Sequence, residues 1–225
     1  KLPELNVISK YGVGLNNLDL ESLKNRNIKL GFTPGVNKQS VAELALTLIL
    51  TGLKKIQGNN IDILDGNWSQ EKGSELYGKT IGLLGFGNIG HKLASLIQPF
   101  KCKILFFDER KYSDNDLQKI CKEFNLNFNS IHQSPLKIVL SKSDILSIHL
   151  PLVPETENII SFDELNQLKE NICIVNTARG GIVNEDDLYS FLVKHTQAFA
   201  GFDVFKEEPA FDSPLLYLPN FFGTS

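Results

Sequence analysis

The stretch LLGFGNIGHKLASLI, residues 83–97, decides the fold of this chain. A short apolar run meets three glycines and continues into a pattern of apolar residues with helical spacing. Gly85, Gly87 and Gly90 have the G-x-G-x-x-G spacing, which marks strand-to-helix turns that bind the pyrophosphate of a dinucleotide. The first glycine permits a tight turn, the second lets the ligand approach the backbone, and the third lets helix and strand pack closely. Because the same spacing also occurs at corners that bind no ligand, the surrounding sequence has to decide between the two.

The residues around the glycine motif favour a dinucleotide site. The apolar residues before the motif and the helical pattern after it provide the strand–turn–helix setting that the motif requires. Asp108 ends the next predicted strand, at about the 20-residue distance typical of an acidic residue that binds the ribose hydroxyls. A carboxylate there repels the 2′-phosphate of NADP, so the pattern favours NAD, although the neighbouring Arg110 leaves NADP open. The alternative for Asp108 is a solvated residue at a strand end.

From residue 79 onward, short apolar runs alternate with segments of helical periodicity. The predicted strands are residues 80–86, 103–109, 127–131, 144–152, 172–178 and 198–205. The predicted helices start near residue 89 and then cover residues 114–124, 134–142, 162–169 and 184–195. This alternation is typical of a parallel sheet covered by helices on both faces. We therefore predict an α/β fold with a Rossmann-type, doubly wound parallel sheet.

Composition and charge argue against several classes of protein. The 225 residues carry a net charge of −3 and show no basic cluster of the kind that binds nucleic acid. The longest apolar segment, residues 41–53, is shorter than the roughly 20 residues of a transmembrane helix and contains Glu43. The three cysteines lack the spacing of metal ligands or of a disulfide framework. We expect a cytoplasmic protein that uses no metal and binds neither nucleic acid nor membrane.

The first third of the chain has a different organisation. Residues 5–9 and 28–33 are predicted strands, and residues 17–27 form a predicted helix between them. Residues 40–68 are predicted to form one long helix, with Ser40 as its N-cap and Glu43 completing a capping box. The first half of this helix is apolar on most sides, which indicates burial or a contact between subunits.

Five further segments resemble the D-isomer-specific 2-hydroxyacid dehydrogenase family, and most of all its D-3-phosphoglycerate dehydrogenase branch. They are KYGVGLNNLDL (10–20), NKQSVAELALTLIL (37–50), SIHLPLVPETENII (147–160), IVNTARGGIVNEDDL (174–188) and GFDVFKEEP (201–209). The resemblance covers essentially the whole chain and implies hydride transfer between NAD and a D-2-hydroxy acid, with 3-phosphoglycerate one candidate. It also implies that residues 1–34 end the substrate domain and that residues 35–225 form the NAD-binding domain. The long helix matches a family element at the dimer contact, so we expect a homodimer.

The resemblance assigns catalytic roles to Arg179 and Glu208. Arg179, in the segment NTARG, matches the arginine that binds the substrate, and a planar, permanently charged guanidinium suits a carboxylate and the keto oxygen beside it. Glu208, directly before Pro209, matches the glutamate that pairs with the catalytic histidine. A carboxylate next to an imidazole raises the pKa of the imidazole, which suits a group that donates a proton to a forming alkoxide.

The resemblance also places the remaining site residues. Val13 and Gly14 match the loop whose backbone N–H groups bind the substrate carboxylate, although a plain glycine turn is the alternative. Asn88 and Ile89 match the phosphate-binding turn. The positions that match the wall of the cofactor site on its nicotinamide side are His149, Pro151, Thr177, Ala178, Arg179 and Asp203. For His149 a buried core histidine is an equally simple interpretation.

The catalytic histidine of the family has no match in this sequence. The resemblance places it directly after the predicted strand NFFGTS, and the sequence ends at Ser225. None of His91, His132, His149 and His195 occupies that position. The early part of the substrate domain and the C-terminal helix of the family have no match either. We therefore expect this chain to be part of a longer protein.

Two other functions remain open at this stage. An NAD(H)-binding sensor would need only the dinucleotide site, whereas the pair Arg179 and Glu208 indicates chemistry. A fragment that binds the cofactor without turnover is the second alternative. Within the enzyme class, oxidation of phosphite or formate on the same scaffold is also open. For a phosphorylated substrate, Lys10 beside Tyr11 is the cation closest to the predicted substrate loop.

Overall fold

A fully parallel, seven-stranded sheet forms the centre of the molecule and confirms the predicted fold class. The computed structural model describes residues 2–15, 17–68 and 71–225. The strands of the sheet are β3 (Thr80–Leu84), β4 (Lys103–Phe107), β5 (Ile131–Gln133), β6 (Ile145–Ile148), β7 (Cys173–Asn176), β8 (Phe199–Phe202) and β9 (Phe221–Gly223). Two earlier strands, β1 (Val7–Ser9) and β2 (Lys29–Gly31), pair in parallel as a separate small sheet.

Helices connect the strands and cover the two faces of the large sheet. They are α1 (Leu20–Asn25), α2 (Lys38–Leu53), α3 (Ile56–Leu64), α4 (Asn88–Ile97), α5 (Asp114–Phe124), α6 (Leu136–Lys142), α7 (Phe162–Leu165) and α8 (Glu185–Lys194). The buried apolar residues form one cluster on each face. Strands β3, β6 and β7 lie between the clusters, and almost all their residues are buried, as two-sided cover requires. In the described part of the chain no helix is long and apolar enough to cross a membrane.

The strand order determines where a ligand can bind. It runs β5-β4-β3-β6-β7-β8-β9, so the chain builds outward from β3 in one direction and then returns to build from β6 in the other. The connections after the adjacent strands β3 and β6 therefore leave the carboxyl edge of the sheet toward opposite sides. A crevice opens between them, and in open parallel sheets ligands bind in this crevice.

The predicted helix 40–68 with an N-cap at Ser40 is wrong in its details. Helix α2 starts at Lys38 with Asn37 at the N-cap position, and Glu43 binds the Gln39 side chain instead of closing a capping box. The helix ends at Leu53, whose free carbonyl accepts the backbone N–H of Ser74 at 2.7 Å. A second helix, α3, then starts after Lys55, whose φ of +50° breaks the helical path.

Helix α2 packs its apolar face on α4 and β7 of its own chain. Its fully buried residues are Ala42, Ala45, Leu48, Ile49 and Leu53, and they belong to the same cluster as residues of α4 and β7. Close packing reaches the backbone at Gly52, where a Cβ atom would lie 2.2 Å from the Phe199 ring. The exposed apolar side chains of this region lie instead on α3 and just after it, at Ile56, Ile61, Ile63, Leu64 and Trp68.

Candidate functional site

The glycine turn lies at the carboxyl end of β3, and each glycine has a different steric environment. Gly85 has a φ of +93°, and a Cβ atom there would lie 2.7 Å from the His149 carbonyl oxygen after β6. A Cβ atom on Gly90 would lie 2.7 Å from the Gly85 carbonyl oxygen. A Cβ atom on Gly87, in contrast, would meet no atom of the described residues within 4 Å beyond its neighbours in the chain and in the helix. The turn therefore packs closely at its first and third glycines and is open at the second, where a pyrophosphate would approach.

The N-terminus of α4 faces this open position. Gly87 is the N-cap residue of α4 and has no side chain that could bind the first free N–H groups of the helix. Free N–H groups and the positive end of the helix dipole form an anion-binding site. Asn88 and Ile89, predicted as parts of the turn, are the first two residues of the helix.

Asp108, directly after β4, is bound to the glycine turn. One carboxylate oxygen accepts the backbone N–H of Phe86 at 2.7 Å, and the other accepts the N–H of Arg110 at 2.9 Å. Each oxygen has a second lone pair that can accept a ribose hydroxyl. The Arg110 guanidinium lies over the Tyr112 ring, 4.8 Å from its centroid, and 3.9 Å from Asp116.

A cleft of about 140 Å³ separates the glycine turn from the N-terminal segment of the chain. Its lining residues are Val13, Gly35, Asn37, Gly87, Asn88, Ile89, Gly90 and His149. His149, directly after β6, bonds through Nε2 to the Ser147 hydroxyl at 3.0 Å. Burial of the imidazole lowers the pKa of His149 to about 4, so the ring is neutral at physiological pH.

Three buried polar atoms, two of them on the cleft-lining residues Asn37 and His149, have no hydrogen-bond partner among the described residues. They are His149 Nδ1, Asn37 Oδ1 and Thr177 Oγ1. A buried polar group without a partner costs about 1–3 kcal/mol, so such groups are rare unless a ligand or water satisfies them. The open glycine turn, the Asp108 carboxylate and these three atoms together suit a dinucleotide, which offers anionic phosphates, ribose hydroxyls and a carboxamide.

Arg179 lies at the carboxyl end of β7, in a turn that Asn176 organises. The buried Asn176 side chain accepts the N–H of Ala178 at 3.1 Å and donates to the carbonyl of Arg179 at 2.9 Å. The Arg179 guanidinium donates to the Ala178 carbonyl at 2.6 Å and lies against the backbone of Gly14, where a Cβ atom would be 2.5 Å from Nη2. Two predicted substrate residues that are far apart in the sequence, Gly14 and Arg179, are therefore in direct contact.

The segment that carries Glu208 packs on the same turn. A Cβ atom on Gly180 would lie 1.9 Å from the Phe205 carbonyl oxygen, so the two backbones are in contact. Glu208 accepts the backbone N–H of Phe205 at 3.0 Å and keeps its carboxylate exposed. Asp203, at the end of β8, accepts the hydroxyl of Thr224 at 2.7 Å.

Several predicted site residues do not line the cleft, namely Gly14, Gly85, Asp108, Pro151, Thr177, Ala178, Arg179, Asp203 and Glu208. Pro151 is exposed, and its carbonyl accepts the hydroxyl of Thr156 at 2.6 Å. Ala178 belongs to the buried apolar cluster and contributes its carbonyl to Arg179. Sequence reasoning missed Asn37 and Asn176, whose only signal was an asparagine next to a predicted helix start or strand end. The described residues contain no group of three His, Cys, Asp or Glu side chains arranged to hold a metal ion.

Comparisons with known proteins agree with this geometry. A family model described as "D-isomer specific 2-hydroxyacid dehydrogenase, NAD binding domain" matches residues 46–225. The chain is 37% identical over 225 residues to the hydroxypyruvate reductase of Thermotoga maritima, covering 98% of this chain and 69% of that protein. It is 34% identical to the D-3-phosphoglycerate dehydrogenase of Methanocaldococcus jannaschii, covering 100% of this chain and 41% of that protein.

A solved structure shows the same likeness. The NAD-dependent formate dehydrogenase from Staphylococcus aureus in complex with NAD superposes with a TM-score of 0.81 at 30% identity, covering 99% of this chain and 65% of that one. The chain thus spans between 41% and 69% of the length of these three relatives.

Proposed function

Because the chain belongs to the D-isomer-specific 2-hydroxyacid dehydrogenase family, we propose that the whole protein interconverts a small D-2-hydroxy acid and its 2-keto acid. The bound NAD would accept or supply the hydride at its nicotinamide ring. The contact between the Arg179 guanidinium and Gly14 carries this proposal. It joins a fixed positive charge to a glycine loop at the crevice of the sheet, which is where a small carboxylate can be bound beside a dinucleotide.

The residues of the chain divide the work in this proposal. The pyrophosphate would bind at Gly85, Gly87, Asn88, Ile89 and Gly90, at the N-terminus of α4. Asp108 would accept the ribose hydroxyls of the adenosine, which favours NAD over NADP. His149, Thr177 and Asp203 would line the nicotinamide side, where two buried atoms need partners.

Arg179 and the loop Val13–Gly14 would bind the substrate carboxylate. A guanidinium presents two parallel N–H donors, which match the two oxygens of a carboxylate, and it polarises the adjacent keto oxygen. Glu208 would pair with the catalytic histidine of the family and stabilise its protonated form. Hydroxypyruvate, glyoxylate and the keto acid of 3-phosphoglycerate, which correspond to the names of the relatives, are the candidate substrates.

An assay of NADH consumption with the complete gene product tests this proposal. Glyoxylate, hydroxypyruvate, pyruvate and the keto acid of 3-phosphoglycerate form the substrate panel. We expect turnover with at least one of them and little with NADPH in place of NADH. Tight NADH binding without turnover on any 2-keto acid would favour the sensor, and absence of NADH binding would refute the dinucleotide site.

We also propose the organisation around this site. Residues 1–34, which contain the small β1–β2 sheet, would end the substrate domain, and residues 35–225 would form the NAD-binding domain. The three cysteines are unpaired and buried, which suits a cytoplasmic location.

A homodimer would cover the exposed apolar side chains of α3 and the side chain of Trp68, which follows this helix. Leu64 is 77% exposed and Trp68 is 79% exposed, and neither packs on the core of its own chain. Leu64→Lys should therefore halve the mass measured by light scattering. Phe211→Lys is the matched control, because Phe211 is 78% exposed on another part of the surface. Equal masses for the two variants would contradict a dimer through α3.

A further inference from the structure

The middle residue of the glycine turn has both of its backbone groups bound by one loop. The N–H of Phe86 donates to Asp108 at 2.7 Å, and the carbonyl of Phe86 accepts the hydroxyl of Tyr112 at 2.8 Å. Both partners belong to the loop after β4, although Phe86 belongs to the turn after β3. The phosphate-binding turn and the ribose-binding carboxylate are therefore one hydrogen-bonded unit.

Gln133, the last residue of β5, fixes this loop from the other side. Its side-chain oxygen accepts the N–H of Tyr112 at 3.1 Å. Its side-chain nitrogen donates to the carbonyl of Arg110 at 2.7 Å and to that of Asp108 at 3.3 Å. One half-buried amide thus binds the backbone at three positions of the loop.

The aromatic rings around Tyr112 fix the direction of its hydroxyl. The Tyr112 ring meets Phe106 edge-on at 5.5 Å and Phe86 at 6.0 Å, while Phe86 and Phe106 stack at 4.1 Å. Burial raises the pKa of Tyr112, and the nearby Asp108 carboxylate adds to this rise. The hydroxyl therefore keeps its proton and its role as a donor at alkaline pH.

We propose that Tyr112, supported by Gln133, is a positioning residue that selects the adenosine half of NAD by fixing Asp108 against the glycine turn. This inference rests on the proposed function, since it assumes that Asp108 faces the ribose. Without the hydroxyl, the bond from Asp108 is the described hydrogen bond that remains between this loop and Phe86. The carboxylate then binds the ribose hydroxyls less well and repels a 2′-phosphate less strongly.

The test compares Tyr112→Phe with the wild type and with Tyr217→Phe, whose tyrosine is 80% exposed. Dissociation constants for NADH, NADPH and ADP-ribose are measured by calorimetry well below the unfolding temperature. Loss of one hydrogen bond should raise the constants for NADH and ADP-ribose about three- to tenfold in Tyr112→Phe. The dissociation constant for NADPH should stay level or fall. The ratio of the NADPH constant to the NADH constant should therefore decrease. Tyr217→Phe should leave all three constants unchanged.

Two results would overturn the inference while the proposed function stands. One is an ADP-ribose constant in Tyr112→Phe equal to that of the wild type. The other is an equal rise in the dissociation constants for NADH and NADPH. A merely structural role of Tyr112 would weaken the binding of both cofactors and leave the ratio of their constants unchanged. If Tyr112→Phe does not fold, Gln133→Leu must shift the ratio in the same direction. A wild type that binds neither NADH nor ADP-ribose would instead overturn the proposed function, and this inference with it.

Discussion

The candidate site has two sides that differ in how their polar groups are satisfied. On the Asp108 side, formed by Phe86, Asp108, Tyr112 and Gln133, each side-chain polar group binds another part of the protein. On the Arg179 side, formed by Asn37, His149, Thr177 and Arg179, three buried atoms have no partner among the described residues.

This difference assigns separate tasks to the two sides. The Asp108 side has its final geometry before a ligand arrives, so it can select the ligand at little cost in ordering. On the Arg179 side a ligand would supply hydrogen bonds that the described residues do not, so binding there would also recover the cost of buried unpaired groups. His91 Nε2 is a buried atom near the Asp108 side that also has no partner among the described residues, but its ring packs between Phe86 and Phe124.

The largest effect should come from Arg179. Arg179→Gln removes the charge and the planar pair of donors, so kcat/KM for a 2-keto acid should fall about 10²–10⁴-fold. The NADH dissociation constant should change little, because the Asp108 side is intact. Steady-state kinetics and NADH titration measure the two effects separately. The control is Arg26→Gln, which alters an exposed arginine bonded to the Leu2 carbonyl. Comparable losses of NADH binding and turnover in Arg179→Gln would contradict the division of tasks.

The second effect concerns acid stability through His149. The pKa of His149 is about 4 in the folded protein, whereas the ordinary value of 6.5 applies to the unfolded chain. The unfolded state therefore takes up a proton first as the pH falls. The free energy of unfolding should therefore decrease between about pH 6.5 and pH 4, by up to roughly 3 kcal/mol. Below the folded pKa this loss stops growing, because both states are then protonated.

Urea titrations at several pH values check this prediction. His149→Asn has no titrating group at the position, so its stability should fall less than that of the wild type over the same range. The exposed His132 provides the control, and His132→Asn should follow the wild type. If the stability of His149→Asn falls as much as that of the wild type, then the His149 imidazole is not held neutral by burial in the folded protein.

The third effect tests the Asp108 side. Asp108→Ala removes the acceptor for two backbone N–H groups and for the ribose, so the NADH dissociation constant should rise about 10–100-fold. The loss should appear with ADP-ribose as well, since this fragment lacks the nicotinamide. Asp163→Ala, at the start of α7, is the matched control for loss of an exposed carboxylate. An effect on NADH without one on ADP-ribose would place Asp108 outside the adenosine contacts.

The sequence predicts the Asp108 side of the fold better than the Arg179 side. The spacing of Gly85, Gly87 and Gly90 and the position of Asp108 are local patterns, and the structure brings them together through adjacent parallel strands. The bond between Tyr112 and Phe86 joins residues whose pairing depends on packing, so no local pattern indicates it. The end of α2 is similar, because the N–H that binds Leu53 comes from Ser74.

The unpaired atoms of the Arg179 side could not be predicted for a related reason. Thr177 and Asn37 are common residues at a strand end and a helix start, where their side chains usually find a partner. Only the packed structure shows that neither Thr177 Oγ1 nor Asn37 Oδ1 has one among the described residues. The family resemblance indicates Thr177, but it carries no information about the state of its hydroxyl.

The smallest effect tests the unpaired groups of the Arg179 side with a matched pair of threonines. Thr177→Val removes a hydroxyl that has no described partner, so the ligand-free protein should be unchanged or stabilised by up to about 1 kcal/mol. NADH affinity should fall about three- to tenfold, since one bond to the ligand is lost. Thr224→Val removes a hydroxyl that is already bound to Asp203 at 2.7 Å, so the ligand-free protein should lose about 1 kcal/mol.

Thermal unfolding with and without NADH reads both quantities in one experiment. If Thr177→Val destabilises the ligand-free protein as much as Thr224→Val does, then the Thr177 hydroxyl has a partner before NADH binds. The Arg179 side would then be preorganised like the Asp108 side. A Thr177→Val protein at least as stable as the wild type, beside a destabilised Thr224→Val protein, would support a Thr177 hydroxyl that gains its partner from the ligand, because both changes remove the same chemical group.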